Sequence, residues 1–106
     1  ALAADTEEQA WHHFSSRERW KIDRNRGALA ALPSPEEVAR RPYSAAEQVE
    51  ADRLRTNALV GSGPQVAAKL RALANTLGVE ELVVITWAHD PVARRRSYEL
   101  LAREFF

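Results

Sequence analysis

The chain has 106 residues, of which 45% are hydrophobic and 28% charged, and its fifteen basic residues balance its fifteen acidic ones. This composition is typical of a single globular domain, and the zero formal net charge argues against a protein that binds nucleic acid through an overall basic field. Cysteine is absent, which excludes disulfides, thiolate catalysis and cysteine-ligated metals.

No apolar run in the chain approaches the roughly 20 residues that a membrane span requires. The opening Ala-Leu-Ala-Ala is too short for the core of a signal peptide. We therefore expect a cytoplasmic protein that binds neither membrane nor nucleic acid. Methionine is absent, position 1 included, and since translation begins with methionine we expect a chain that was trimmed or cut from a longer polypeptide.

The N-terminal part of the chain predicts one long helix. Residues 1–4 are small and apolar and fit the tail of a strand. Thr6 and Gln9 have the spacing of a capping box, which opens a helix, and this helix is expected to end at Gly27.

Two further helices are predicted in the polar middle of the chain. Ser34 begins the first, with proline and glutamate following it, and Ser44 begins the second. The second helix is expected to bury an apolar side, marked by Ala46, Val49 and Leu54.

The second half of the chain alternates strands with helices. We predict strands at 58–60 and 82–88, each followed by a helix, the first of which ends at Gly78. Segment 82–88 is apolar almost without alternation, which is typical of a strand buried on both faces. Successive strand–helix units predict parallel strands, and a parallel sheet needs more than two strands and cover on both sides. Residues 58–106 therefore resemble part of a larger α/β sheet.

Four segments carry a resemblance that extends over nearly the whole chain. They are 4–10 (ADTEEQA), 32–37 (LPSPEE), 60–70 (VGSGPQVAAKL), and 81–102, which contains ELVVIT, HD and RSYELLA. In this order they resemble the bacterial-luciferase-like flavin-dependent monooxygenases.

The resemblance implies a fold and an activity for a larger parent protein. The fold is a TIM (β/α)8 barrel, which typically takes ~250 residues, so this chain would be a C-terminal fragment. Residues 1–57 would be a helical excursion after an inner barrel strand, and 58–106 the last two βα units. The parent enzyme would use reduced FMN, or a related deazaflavin, with O2 and an organic substrate. For the isolated chain we expect no bound cofactor and no activity, and its partner would be the missing N-terminal portion of the barrel.

An alternative hypothesis is a self-associating helical module with a binding or structural role and no catalysis. Left alone, an apolar strand at 82–88 exposes one face and at least one edge, and a homo-oligomer would cover both.

Candidate site residues are few. Trp87 and His89 lie at the C-terminal end of the predicted last strand, which is the catalytic face in barrels. Each fits the wall of a flavin or substrate pocket. The alternative places Trp87 in the core and His89 in solvent. Gly61 and Ser62 precede a helix N-terminus, where free N–H groups bind phosphate, but the same turn also simply begins a helix. We identify no catalytic residue and no metal ligand.

Residues 17–26 form a basic stretch that contains an aromatic residue, Trp20. The pattern fits a face for nucleic acid or another anionic ligand. It also fits a solvated helix side on which Arg19 pairs with Asp23 at i,i+4 spacing. The neutral overall charge favours the second interpretation.

Overall fold

The computed structural model describes residues 1–106 as a helix-rich α/β fold. Its elements in chain order are β1 (Leu2–Ala4), α1 (Glu7–Asn25), α2 (Pro35–Ala39), α3 (Ala45–Thr56), β2 (Val60–Ser62), α4 (Gly63–Leu77) and α5 (Pro91–Phe105). The two strands pair in parallel, with Leu2 opposite Val60 and Ala4 opposite Ser62. The predicted α/β class with parallel strands is confirmed, but the pair joins β1 to β2 and not the predicted 58–60 to 82–88, and β2 begins at Val60. None of the helices has the length and apolar character needed to cross a bilayer.

All five helices begin at capping residues, and the caps of α1 to α4 are those that the sequence predicts. In each case the side-chain oxygen of the cap accepts a hydrogen bond from a backbone N–H of the first turn, which satisfies a group that has no partner inside the helix. The caps of α1 to α5 are Thr6, Ser34, Ser44, Ser62 and Asp90. Gly78 closes α4 with φ of 67°, a left-handed conformation that favours glycine.

The core consists of two small apolar clusters, one on each face of the sheet. Side chains alternate along a strand, so Leu2 and Ala4 point to one cluster and Ala3 to the other. Helix α1 covers the first face, and α4 and α5 cover the second. Ser97 of α5 is fully buried, and its hydroxyl accepts a hydrogen bond of 2.9 Å from the backbone N–H of Ala3. This bond fixes α5 directly against β1.

Segment 82–88 is not a strand, so that prediction was wrong. The structure has no strand between α4 and α5. Burial still alternates along the segment. Leu82 and Val84 pack on the core, and the odd-numbered residues point outward. The exposed residues form what we call the uncovered apolar face, namely Val83 (89% exposed), Ile85 (63%) and Trp87 (47%). The expected burial on both faces therefore does not occur in this chain.

The physical reason is the lack of a neighbouring strand for the backbone of 82–88. Its polar groups are instead satisfied by scattered partners. The amino group of Ala1 donates to the Ile85 carbonyl at 3.0 Å, and the Thr86 N–H donates to the Tyr98 hydroxyl at 3.2 Å. Arg94 Nε donates to the Thr86 carbonyl at 3.1 Å. Two of these three bonds involve side chains, which form no regular ladder.

The predicted apolar side of α3 was also wrong. Ala46 is exposed, Val49 is 66% exposed, and Leu54 is only half-buried. The one buried residue of α3 is Ala51. Helix α3 turns its charged side chains toward α1, and ion pairs replace the expected apolar contact.

Candidate functional site

Gly61 and Ser62 lie at the carboxyl end of β2, where the start of α4 occupies their polar groups. The Ser62 N–H donates to Gln65 Oε1 at 2.8 Å, and the Gln65 N–H donates to Ser62 Oγ at 3.4 Å. A Cβ at Gly61 would lie 2.6 Å from that same Gln65 Oε1, so a larger residue there would displace the Gln65 side chain from the capping box. The capping box therefore accounts for both residues without a ligand.

The carboxyl edge of the sheet is closed by ion pairs between α5 and the start of α1. Arg96 Nη2 donates to Asp5 Oδ1 at 2.7 Å, and Arg96 Nη1 lies 3.3 Å from Glu99 Oε2. The hydrogen bond from Arg96 lowers the pKa of Asp5. Gln65 Nε2 donates to Glu7 Oε2 at 3.1 Å. The arginine at this edge is thus already neutralised by carboxylates.

Trp87 lies in a different environment, against α1. Its ring stacks on that of Trp20, with centroids 6.1 Å apart and planes 26° apart. The guanidinium of Arg17 lies 4.1 Å from the Trp87 ring centroid and 4.6 Å from that of Trp20. His89 is exposed. The structure therefore does not bring Trp87 together with Gly61 and Ser62.

Trp87 instead borders a cleft of about 600 Å³ at the amino ends of the two strands, which we call the amino-end cleft. One wall comes from Leu2 and from 58–60, which enter β1 and β2. The opposite wall comes from the C-terminal halves of α1 and α3. This position follows from the fold, because α1 leaves the carboxyl end of β1 and runs back to the amino end.

Three cationic side chains and one carboxylate line the amino-end cleft. The cations are Arg17, Lys21 and Arg53, and the carboxylate is Glu50, whose Oε2 lies 3.8 Å from Arg26 Nε outside the cleft. Burial lowers the pKa of Arg17 and of Lys21, and neighbouring arginines lower each further. None of the three cations forms an ion pair, since the paired arginines of the chain are Arg19, Arg26, Arg41, Arg55 and Arg96.

A second charged region joins α1 to α3 through a buried carboxylate. Glu18 is 1% exposed. It accepts hydrogen bonds from Arg55 Nε at 2.7 Å and Arg55 Nη2 at 2.8 Å, and from the Tyr43 hydroxyl at 2.9 Å. Burial and the hydrogen bond to Glu18 raise the pKa of Tyr43. A buried charge is tolerated only when it is paired and hydrogen-bonded in this way.

Arg19 extends this charged region along α1. Its Nη1 donates to Glu47 Oε2 at 2.8 Å, and its Nε lies 3.5 Å from Asp23 Oδ1, which confirms the predicted i,i+4 pair. Asp23 also binds Arg41 at 2.9 Å. Arg19 is only 5% exposed, so this side of α1 is an ionic interface and not the solvated surface that the sequence suggested. We call the contacts of Glu18, Arg19 and Asp23 the ionic interface.

No set of three or more His, Asp and Glu side chains is arranged to hold a metal ion. Within 17–26, sequence reasoning found the basic stretch but did not assign Arg17 and Lys21 to a cleft, and it missed Arg53 altogether. Arg53 comes from a different helix, so no local spacing links it to the others. The one sequence feature that pointed to this cleft was the basic stretch 17–26 with its aromatic residue, Trp20.

The chain is similar to part of several longer proteins, although no family model matches it. The uncharacterized protein YwcH of Bacillus subtilis (strain 168) is 35% identical over 105 residues, which are 98% of this chain and 32% of YwcH. The N-acetyl-S-alkylcysteine monooxygenase of the same organism is 28% identical over 101 residues, which are 95% of this chain and 30% of that protein. The chain thus spans about a third of the length of these curated relatives.

The fold is similar to part of a solved structure as well. The crystal structure of apo-MsnO8 superposes with a TM-score of 0.80 and 26% sequence identity, over 98% of this chain and 32% of that one. A monooxygenase is thus among the relatives of the chain. At that coarse level, the similarities support the resemblance to luciferase-like monooxygenases.

Proposed function

We propose that this chain is part of a luciferase-like, flavin-dependent monooxygenase that uses reduced flavin, O2 and an organic substrate. The observation that carries the proposal is the similarity to the N-acetyl-S-alkylcysteine monooxygenase over 95% of the chain. The four resembling segments lie within the same stretch, and the fold matches part of MsnO8. The substrate of that relative is not transferred to this chain.

The proposal includes the place of the chain in a barrel. Residues 1–57 would be the helical excursion after an inner strand, and 58–106 the last two βα units. A parallel pair of strands, each followed directly by a helix, supports this placement, because a barrel is built from such βα units. The uncovered apolar face supports it too, because 82–88 has the composition of a buried strand and lacks a covering partner. Its partner would be the N-terminal remainder of the barrel.

The residues of this chain do not by themselves fit a flavin. Gly61 and Ser62 are engaged in a capping box at one end of the sheet, and Trp87 lies against α1 near the other. A bound reduced flavin supplies the reaction with O2, and the protein positions it. We propose that most contacts to FMN, or a related flavin, come from polypeptide outside these residues, and that the isolated chain has no oxygenase activity.

A chimera tests this proposal. The aligned third of the N-acetyl-S-alkylcysteine monooxygenase is replaced by these 106 residues, and flavin content and O2 consumption with reduced flavin are measured. We expect the chimera to bind flavin and consume O2. The isolated chain, and the relative without its aligned third, are expected to do neither. A folded chimera without flavin binding would contradict the proposal, as would turnover by the isolated chain.

A second candidate is a self-associating binding or structural module without catalysis. The uncovered apolar face favours it, since Val83, Ile85 and Trp87 lie together on one side of an extended segment. A second copy could cover this face as well as a missing barrel portion could. Light scattering of the 106-residue chain separates the two: a discrete dimer that Val83→Asp converts to a monomer supports the module, and a wild-type monomer contradicts it.

A further inference from the structure

The amino-end cleft holds positive charge that the protein leaves unbalanced. Arg17, Lys21 and Arg53 line it and pair with no carboxylate; Arg17 and Lys21 are half-buried and Arg53 is exposed. The two fully buried charges of the chain, Glu18 and Arg19, are both paired. The carboxylate in the cleft, Glu50, forms its ion pair with Arg26, at 3.8 Å, and not with one of the three cleft cations. Bringing like charges together in a partly desolvated cleft costs free energy. An anion bound there would remove that cost.

The Arg17 guanidinium is positioned in the cleft by contacts with two indole rings. Its guanidinium lies over Trp20 and Trp87 at 4.6 and 4.1 Å, distances at which cation–π attraction operates. Neither ring supplies a hydrogen-bond acceptor or a countercharge for the guanidinium. Arg17 Nη1 is buried and has no hydrogen-bond partner. An oxyanion in the cleft is a natural partner for the guanidinium as a whole, because its planar set of N–H donors matches phosphate geometry.

The remaining walls of the cleft are apolar except at Asn25 and Asn57. Phe14, Leu54 and Trp87 line it next to the cations. A volume of about 600 Å³ is within the range of sites that hold small organic molecules. The cleft therefore combines cations for an anionic group with apolar surface for a carbon skeleton.

We propose that the amino-end cleft binds an organic phosphate, with the phosphoryl group at Arg17, Lys21 and Arg53 and an aromatic ring against Phe14 and Trp87. A dianionic phosphomonoester matches the excess of cations over the one carboxylate. The site is distinct from the proposed flavin chemistry, which belongs to the carboxyl ends of parallel strands in barrels. It therefore adds a second ligand site to the protein.

Isothermal titration calorimetry of the 106-residue chain with phenyl phosphate at low ionic strength tests the proposal. We expect saturable binding at one site. Inorganic phosphate, which lacks the ring, and phenol, which lacks the charge, are each expected to bind at least about tenfold more weakly, since a charge-assisted contact is typically worth that factor. This comparison requires no variant.

Two variants and a matched control locate the site. Lys21→Gln and Arg53→Gln each remove one cleft cation and are expected to weaken phenyl phosphate binding about tenfold. Arg95→Gln removes the same charge from an exposed position on α5, outside the cleft, and is expected to leave binding within about twofold. Circular dichroism checks that all three remain folded.

Three results would overturn the proposal. The first is no saturable binding of phenyl phosphate up to millimolar concentrations. The second is equal affinity for wild type and both cleft variants. The third is equal weakening by Arg95→Gln, which would mean attraction to general surface charge. None of these depends on the chimera, so failure here leaves the monooxygenase proposal standing.

Discussion

Two interfaces attach helices in this fold, and their chemistry is opposite. Helices α4 and α5 pack on β1 through Val66, Leu70 and Leu101, each at most 6% exposed. Helix α3 is attached to α1 by the ionic interface, and Ala51 is its only buried residue. Apolar burial does not depend on protonation, whereas ion pairs weaken with salt and with titration. The two halves of the molecule should therefore respond differently to mutation and to pH.

Leu70→Ala is expected to have the largest effect, a loss of about 2–5 kcal/mol in the free energy of unfolding, because it leaves a cavity in the apolar interface. Urea unfolding followed by circular dichroism measures it. The matched control is Leu77→Ala on the same helix, where the side chain is 59% exposed. That change is expected to cost less than about 0.5 kcal/mol. Equal losses would mean that α4 is not held by this face.

Glu18→Gln is expected to cost less, about 1–2 kcal/mol, because it weakens the charge-assisted bonds from Arg55. Arg55 remains 46% exposed, so water can solvate the freed guanidinium, which limits the loss. Urea unfolding measures the change. The control Glu80→Gln removes an exposed carboxylate that forms no ion pair, and it should be nearly neutral. A loss as large as that of Leu70→Ala would contradict the ranking of the two interfaces.

Tyr43→Phe removes one of three hydrogen bonds to Glu18 and is expected to cost about 1 kcal/mol of unfolding free energy. The wild type also makes a spectroscopic prediction. Burial raises the pKa of Tyr43. In Tyr98 burial acts in the same direction, but the hydrogen bond from Thr86 and the charge of Arg94 lower its pKa on balance.

Tyrosinate absorbance should therefore rise in two steps with pH, first from Tyr98 and later from Tyr43. A raised pKa in the folded state means that the contribution of Tyr43 is complete below the unfolded value near 10. It declines as pH rises through the folded pKa. A single step at the ordinary pKa in the wild type would contradict the burial of this hydroxyl.

The smallest expected effect is local loosening of α3 in acid. Hydrogen bonds from Ser44, with the charge of Arg19, lower the pKa of Glu47. A lowered pKa stabilises the fold above the unfolded value near 4.5, and that contribution is lost as pH falls through the folded pKa. Hydrogen exchange followed by mass spectrometry should show faster exchange in α3 than in α4 at such pH. Equal protection of α3 and α4 from exchange in acid would contradict a pH-sensitive attachment of α3.

Local signals predicted most of the fold. Thr6, Ser44 and Ser62 each satisfy N–H groups within a few residues, so their effect is visible in the sequence. Segment 82–88 was misassigned because a strand depends on a neighbour far away in the chain, which local composition does not reveal. Val49 was misassigned for a related reason: the ionic interface competes with apolar contact and is formed between distant segments.

The candidate site was harder to predict than the fold. Arg17 and Lys21 stand out as part of a basic stretch, but the cleft also needs Arg53 from another helix. Trp87 was one candidate for the wall of a flavin pocket, and in this structure it lies beside Trp20. Its use as a flavin contact in a longer polypeptide stays a prediction. Contacts between residues this far apart follow from topology, which composition and spacing do not specify.

Trp87 belongs to two surfaces at once. One side of its ring contributes to the uncovered apolar face, and the same ring stacks on Arg17 in the amino-end cleft. Any polypeptide that covers the uncovered apolar face must therefore contact the Trp87 ring or move it. If the ring moves, the Arg17 guanidinium stacked on it moves as well. Linkage is reciprocal, so occupancy of the cleft would change the affinity for the covering partner by the same factor. One tryptophan would then couple assembly of the protein to the supply of a small anion.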